Sequence, residues 1–174
     1  MWCASTSLRA ASAIVIRPAV REDTGRILAF IRELAEYEQL AHEAVADEAG
    51  LAQQLFGPTP RAEVLIAEVD GEAAGFALFF HNFSTFVGKP GLYLEDLFVR
   101  PQYRGLGLGK RLMVRLAKLA VERDCGRFEW SVLDWNTPAI DFYRSLGAVG
   151  MDEWTVQRVT GDALAALAAQ DSAT

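Results

Sequence analysis

The chain has 174 residues, of which 51% are hydrophobic and 23% charged, and carries a formal net charge of −6. That length suits one domain with a full core, and the acidic balance argues against a general nucleic-acid binder while leaving room for cationic small molecules. Cys3, Cys125, His42 and His81 make neither a disulfide framework nor a metal-ligand spacing, so a reduced, metal-free protein is expected. No apolar run reaches the roughly 18 residues of a membrane helix. The start, MWCASTSLRAASA, lacks the apolar stretch of a secretory signal. Residues 1–13 therefore read as an N-terminal tail, residues 14–174 as a single domain, and the cytoplasm as the expected location.

The first ordered piece is IVIRPA, a strand over 14–19. In REDTGRILAFIRELAEYEQL, the residues Ile27, Ile31, Leu34 and Ala35 fall at i, i+4, i+7 and i+8. This spacing, after Glu22 and Asp23, predicts an amphipathic helix whose start suits the helix dipole. A second helix is expected over 43–56, stopping at GPTP. EVLIAEV and EAAGFALFF flank Asp70 and Gly71, the strongest short hairpin signal. The second of these strands is apolar on both faces and belongs in the middle of its sheet.

A loop, HNFSTFVGKPG, leads to the strand LYLEDLFV and then to RGLGLGK. KRLMVRLAKLAVERD is a helix with Leu112, Leu116, Leu119 and Ala120 on its buried face. RFEWSVLDW is a strand. NTPAIDFYRSLGA is a short helix with Thr137 or Asn136 as N-cap, Pro138 in its first turn and Gly147 closing it. DEWTVQRV reads as a last strand and GDALAALAA as a terminal helix, which together make an α/β domain.

RGLGLGK raises the question of function. Glycine at three alternate positions is costly in ordered backbone, by roughly 0.5–1 kcal/mol each relative to alanine. A P-loop would need glycine where Arg104 stands and Ser or Thr where Arg111 stands; a dinucleotide fingerprint would need glycine where Lys110 stands. The turn nevertheless lies between a strand and a helix, where backbone N–H groups and a helix N-terminus meet. From Leu97 to Val121 there is no acid, while Arg100, Arg104, Lys110, Arg111, Arg115 and Lys118 are basic. In a chain of net negative charge, this local reversal suits a pyrophosphate.

The order strand, two helices, three strands, helix, strand, helix, strand, with Arg104-x-x-Gly107-x-Gly109 at this point, resembles the GNAT superfamily of acyl-CoA N-acyltransferases. YLEDLFVRPQYRGLGLGKRL with WNTPAIDFYRSLGA, IRPA and IRELAEYE narrows the resemblance to the diamine (spermidine/spermine) and thialysine acetyltransferases, over about residues 14–168. It implies the GNAT fold, with a mixed central sheet split by a bulged strand and helices on both faces. It also implies acetyl-CoA as co-substrate, a small amine as acceptor and a homodimer; the acidic balance and the lack of a membrane-length apolar run leave no nucleic acid or membrane as an expected partner. The turn of Arg104, Gly105, Leu106, Gly107, Leu108, Gly109 and Lys110 would wrap the pyrophosphate of coenzyme A. The backbone of Leu97, Phe98 and Val99 would hold the pantetheine arm.

Acetyl transfer to an amine poses two proton problems: freeing a lone pair on a group of pKa near 10, and protonating a departing thiolate. Glu95 and Asp96 lie on the strand before the turn. A regular strand would turn them to opposite faces, and a bulge would let both contribute. Glu95 is assigned as base, acting through water, with Asp96 helping to hold a cationic amine. Tyr143 is the candidate acid; it lies two helical turns from Asn136, so both can face the cofactor. By resemblance, the amine would also meet Tyr37 and Glu38 in the first helix, then Glu129, Trp130 and Ser131, and Asp152 before Trp154.

The diamine enzymes carry an acid in the middle loop where this chain has Ser84 and Thr85, and their segment between Gly147 and Trp154 is longer. Both departures bear on a second or third amine contact. Within the enzyme class the alternative is transfer to a protein lysine or an antibiotic amine; outside it, a non-catalytic acyl-CoA-binding module, for which neither Glu95 nor Tyr143 is needed.

Overall fold

In the computed structural model, residues 12–173 are described, so all of the expected N-terminal tail except residues 12 and 13 lies outside the described residues. The chain divides into two compact units, Met1–Ser131 and Val132–Thr174.

The first unit is built on a five-stranded sheet in the order β1 (Ile14–Pro18), β2 (Glu63–Val69), β3 (Glu72–Ser84), β4 (Lys89–Val99), β5 (Arg127–Trp130). The first four strands are antiparallel neighbours and β5 runs parallel to β4, so the sheet is mixed. Asp70 and Gly71 join β2 to β3 with φ of 52° and 84°, the paired positive angles of the tight hairpin turn that this dipeptide favours. The hydrogen bonding reaches further towards the N-terminus than β1 itself: Asp70 N–H donates to the Ala13 carbonyl, and Ala13 N–H to Asp70 Oδ1, each at 2.8 Å.

Helices cover both faces. On one, α1 (Thr24–Tyr37) and α2 (Glu48–Phe56) pack Ile27, Phe30, Leu34 and Leu55 against Val64, Ile66, Phe76, Leu78 and Phe98. Phe30 stacks on Phe76 with ring centres 5.3 Å apart and meets Phe98 edge-on at 6.4 Å. The row facing the sheet is Ile27, Phe30 and Leu34, whereas Ile31 and Ala35, expected inside, are half-buried. On the other face, α3 (Leu108–Glu122) buries Leu108, Leu112, Met113, Leu116 and Ala120 at helical spacing.

Several expectations need correction. Asp23 stands at the N-cap position of α1, as the expected acidic start has it, but its side chain bonds no helix N–H: the residue is 1% exposed and its carboxylate is taken by Arg17, Arg26 and the Val20 N–H, which ties β1 to the helix start. The second helix begins at Glu48 instead of residue 43, because Asp47 accepts the Gly50 N–H at 2.7 Å and so sets the N-cap. The expected loop over 81–91 is mostly ladder. His81 to Ser84 pair with Leu92 to Lys89, and Gly88, at φ 68°, closes a turn to the Ser84 carbonyl.

The second unit holds α4 (Thr137–Ser145) and α5 (Gly161–Ala168). Asn136 is the N-cap of α4, accepting the Ala139 N–H at 3.3 Å, and Gly147 leaves that helix at φ 92°. The expected strand over 127–135 ends at Trp130, since Asn136 N–H bonds back to the Leu133 carbonyl and turns the chain. DEWTVQRV is not a strand. A strand requires a ladder partner, and this unit has none among the described residues.

Candidate active site

β4 carries the irregularity on which the site depends. Leu78 lies opposite Asp96 and the next residue, Phe79, opposite Leu94, which leaves Glu95 as the extra residue of a β-bulge. On its other side, β4 pairs with β5 only from Gly91 to Leu94. From Glu95 to Val99 its outer edge is therefore without a β5 partner. Arg100 N–H donates to the Ala74 carbonyl, so by antiparallel alternation the backbones of Phe98 and Asp96 also face β3. The outward backbone groups are those of Leu97 and Val99. Phe98, expected to share in holding an extended ligand, instead commits its backbone to β3 and its ring to the α1 core.

Past Val99, Arg100 and a 3-10 turn over Pro101–Tyr103 bring the chain to residues 104–110. Gly105 and Gly107 stand at φ 81° and 75° on either side of Leu106, the alternation that turns successive N–H groups towards one point. A Cβ built on either glycine meets nothing within 4 Å, so the concavity is open. Among the described residues no hydrogen bond engages the N–H groups of residues 105–110, the last three of which form the free first turn of α3. With Arg104 and Lys110 flanking and no carboxylate in the loop, the donor set fits a pyrophosphate.

The end of α1 faces the bulge. The carboxylates of Glu38, Glu95 and Asp96 make no hydrogen bond or ion pair among the described residues. Burial first, then the charges of Glu95 and Glu38, push the Asp96 carboxyl from 3.8 up to about 6. Burial also raises that of Glu38. Three acids lacking a cation, in a partly dry place, are costly to the fold and suited to a cationic guest. Tyr37, 41% exposed, lies with its ring 5.1 Å from the Arg104 guanidinium carbon, and Arg104 Nε–H donates to the Val99 carbonyl at 3.1 Å.

Arg100 holds these parts in place. Its guanidinium bonds both oxygens of Glu33 on α1, at 2.7–3.1 Å, donates to the Ala73 carbonyl and lies 4.6 Å from the Phe30 ring centre. Arg100 thus belongs to the scaffold and not to the basic surface around the loop. Sequence reasoning missed this clasp because 67 residues separate its partners and neither has a local signature.

The remaining candidates lie at β5, at the β3–β4 turn and in the second unit. Glu129 is held by Arg127 Nε at 2.8 Å and Asn82 Nδ2 at 3.2 Å, Trp130 packs on Phe128, and the Ser131 hydroxyl meets Tyr93 OH at 2.8 Å. Ser84 ends β3 and Thr85 begins the β3–β4 turn. Six residues of strand separate Lys89, the partner of Ser84, from Glu95, a span of about 20 Å. In the second unit, Asn136 is 7% exposed and caps α4, Tyr143 lies on α4 with its ring 5.2 Å from Phe142, and Asp152 is exposed.

Comparison with known proteins gives concordant results. Residues 27–148 match the model of the acetyltransferase (GNAT) family. The chain is 39% identical over 166 residues to thialysine N-epsilon-acetyltransferase from Bos taurus, covering 89% of this chain and 97% of that one. It is 36% identical to the L-ornithine N5-acetyltransferase NATA1 of Arabidopsis thaliana, covering 87% and 86%. Among solved structures, an integron cassette protein from V. cholerae superposes with a TM-score of 0.77 at 29% identity, covering 91% of this chain and 99% of that one. An aminoglycoside N-acetyltransferase solved with CoA shares the fold at a TM-score of 0.66 and 18% identity, covering 88% and 96%.

Proposed function

The chain belongs to the acetyltransferase (GNAT) family of acetyl-CoA-dependent N-acetyltransferases, and from that premise we propose that it acetylates the side-chain amine of a small cationic amino acid of the thialysine or ornithine kind. One observation carries this reading: the carboxylates of Glu38, Glu95 and Asp96, without an ion-pair partner among the described residues, stand at the bulge where the open edge of β4 begins. A primary ammonium supplies the missing positive charge. The names of the relatives at 36–39% identity favour an amino-acid amine. The same three acids favour a polyamine as the second reading, although Ser84 and Thr85, at the far end of the β3–β4 hairpin from Glu95, lie too distant to serve its other end.

Acetyl-CoA supplies the acetyl group as an activated thioester. Leu97 and Val99 offer their outward backbone groups to the pantetheine arm, and residues 104–110 offer their N–H groups and cations to the pyrophosphate. Asp96 and Glu38 hold the ammonium by charge. Glu95, exposed at the bulge, takes its proton through water. The freed nitrogen forms the new C–N bond as the C–S bond breaks; on becoming an amide it gives up a second proton, which balances the one that the thiolate takes up to leave as the thiol. Tyr143 gives a hydrogen bond to the departing sulfur; full proton transfer from a phenol near pKa 10 to a thiolate near 8.5 would run uphill by about 2 kcal/mol. Transfer is direct, since Cys125 follows α3 and lies outside the loop. In this reading the active species is a homodimer.

Thiol release from acetyl-CoA, compared for thialysine, ornithine and spermidine, tests the substrate class. The amino acids are expected to give the higher kcat/KM. A higher value for spermidine selects the second reading, and no release with any of the three refutes both. Glu95→Gln and Tyr143→Phe should each lower kcat by about 100-fold or more, and near-normal turnover would remove the respective residue from the mechanism.

A further inference from the structure

Arg104 touches one residue from each of the two regions that the proposed reaction needs. Its Nε–H occupies the carbonyl of Val99, on the open edge of β4, and its guanidinium occupies the ring of Tyr37, next to Glu38. We propose that Arg104 is a tethered competitor, holding Val99 against the cofactor and the Tyr37 face against the substrate's ammonium, so that cofactor binding opens the amine site. The inference rests on the reading of the chain as an acetyl-CoA-dependent transferase of small amines.

Three physical points support it. A carbonyl that already accepts Arg104 Nε–H is not equally available to an amide N–H of a pantetheine arm, so the two compete for Val99. A phosphate anion held by the N–H groups of residues 105–110 attracts a guanidinium on the same loop, and a charge-assisted bond is roughly twice as strong as the bond to a neutral carbonyl that Arg104 makes now. Finally, the face of an aromatic ring that holds one cation is denied to another. When Arg104 turns to the loop, the Tyr37 face is given up, which favours an incoming ammonium. The coupling is reciprocal, so a bound amine in turn tightens the cofactor. Arg104 is exposed and its ring contact is of the solvated kind, which sets the coupling at about two- to fivefold in affinity.

The test uses the full chain with 15N-labelled arginine. The Arg104 Nε–H signal is identified by its loss in Arg104→Gln and followed as coenzyme A is added, and thialysine binding is measured by calorimetry with and without saturating coenzyme A. The expected result is a shift of the Arg104 signal, with a thialysine Kd about two- to fivefold lower in the presence of coenzyme A. In Arg104→Gln, thialysine alone should bind about as tightly as it binds the wild type with coenzyme A. If that variant holds coenzyme A weakly, the thialysine affinity without it decides. Tyr37→Phe, which keeps the ring, should retain the coupling, and Tyr37→Leu should lose it. An Arg104 signal that stays in place at saturating coenzyme A overturns the proposal, as does an unchanged thialysine affinity in Arg104→Gln. A signal that moves while thialysine, ornithine and spermidine all fail to bind supports the displacement of Arg104 and refutes the substrate reading instead.

Discussion

Replacing Asp96 with asparagine removes a charge that the folded chain holds at its own expense. Burial, with the charges of Glu95 and Glu38, raises this carboxyl from 3.8 to about 6. A raised carboxyl binds its proton more tightly in the folded state than in the unfolded one. Stability therefore falls as pH rises from about 4 to about 6, and above that range the whole loss is present. A difference of about two pKa units corresponds to about 3 kcal/mol. The side chain is only partly buried, and solvent screening brings the expected effect to about 1–3 kcal/mol. Asparagine keeps the shape and cannot ionise. In urea unfolding at pH 7.5, Asp96→Asn should exceed the wild type by that amount, and the two should converge as pH approaches 4. Activity should move the opposite way: the wild-type kcat/KM rises as pH passes through about 6, while the variant has no carboxylate to offer the amine and stays low. Equal destabilisation at both pH values would refute the reasoning, because it would mean that favourable bonds hold the carboxylate.

Other sites give independent tests. Gly107→Ala places a side chain at φ 75° in otherwise open space, so the strain is confined to the backbone. Stability should fall by about 1–2 kcal/mol, and the KM for acetyl-CoA should rise more than kcat falls. Arg17 and then the other partners of Asp23 depress its carboxyl to about 2, a stabilisation present above pH 3.8 and lost as pH falls towards 2. Asp23→Ala should cost about 1–3 kcal/mol in urea unfolding at pH 7, because the Val20 N–H and Arg17 lose an acceptor while Arg17 keeps Glu68. Glu38→Gln removes one of the charges acting on Asp96 and should move the rise in activity to lower pH.

Features decided by a few neighbouring residues were legible in the sequence. Asp70 and Gly71 carry their own positive φ values, Asn136 and Pro138 begin α4, and the three glycines of the loop sit where a strand must turn into a helix. The apolar spacing of α3 likewise marks its buried face at Leu112, Leu116 and Ala120, although Leu119, expected there, is half-buried and Met113 is buried instead. Features decided by pairing between distant segments were not. Whether Glu95 and Asp96 diverge or stand together depends on one extra residue against β3, and a register shift leaves no mark in composition. Which backbone groups of 97–99 face outward follows from that register too, and it separates Phe98 from its neighbours. The residues over 152–159 have strand-like alternation, yet alternation creates no ladder without a partner. The clasp of Arg100 on Glu33 and the contact of Arg104 with Tyr37 arise only when α1 docks on the sheet. Local φ preferences and caps are properties of a short stretch, whereas hydrogen-bond register and the placing of charges belong to the packed chain.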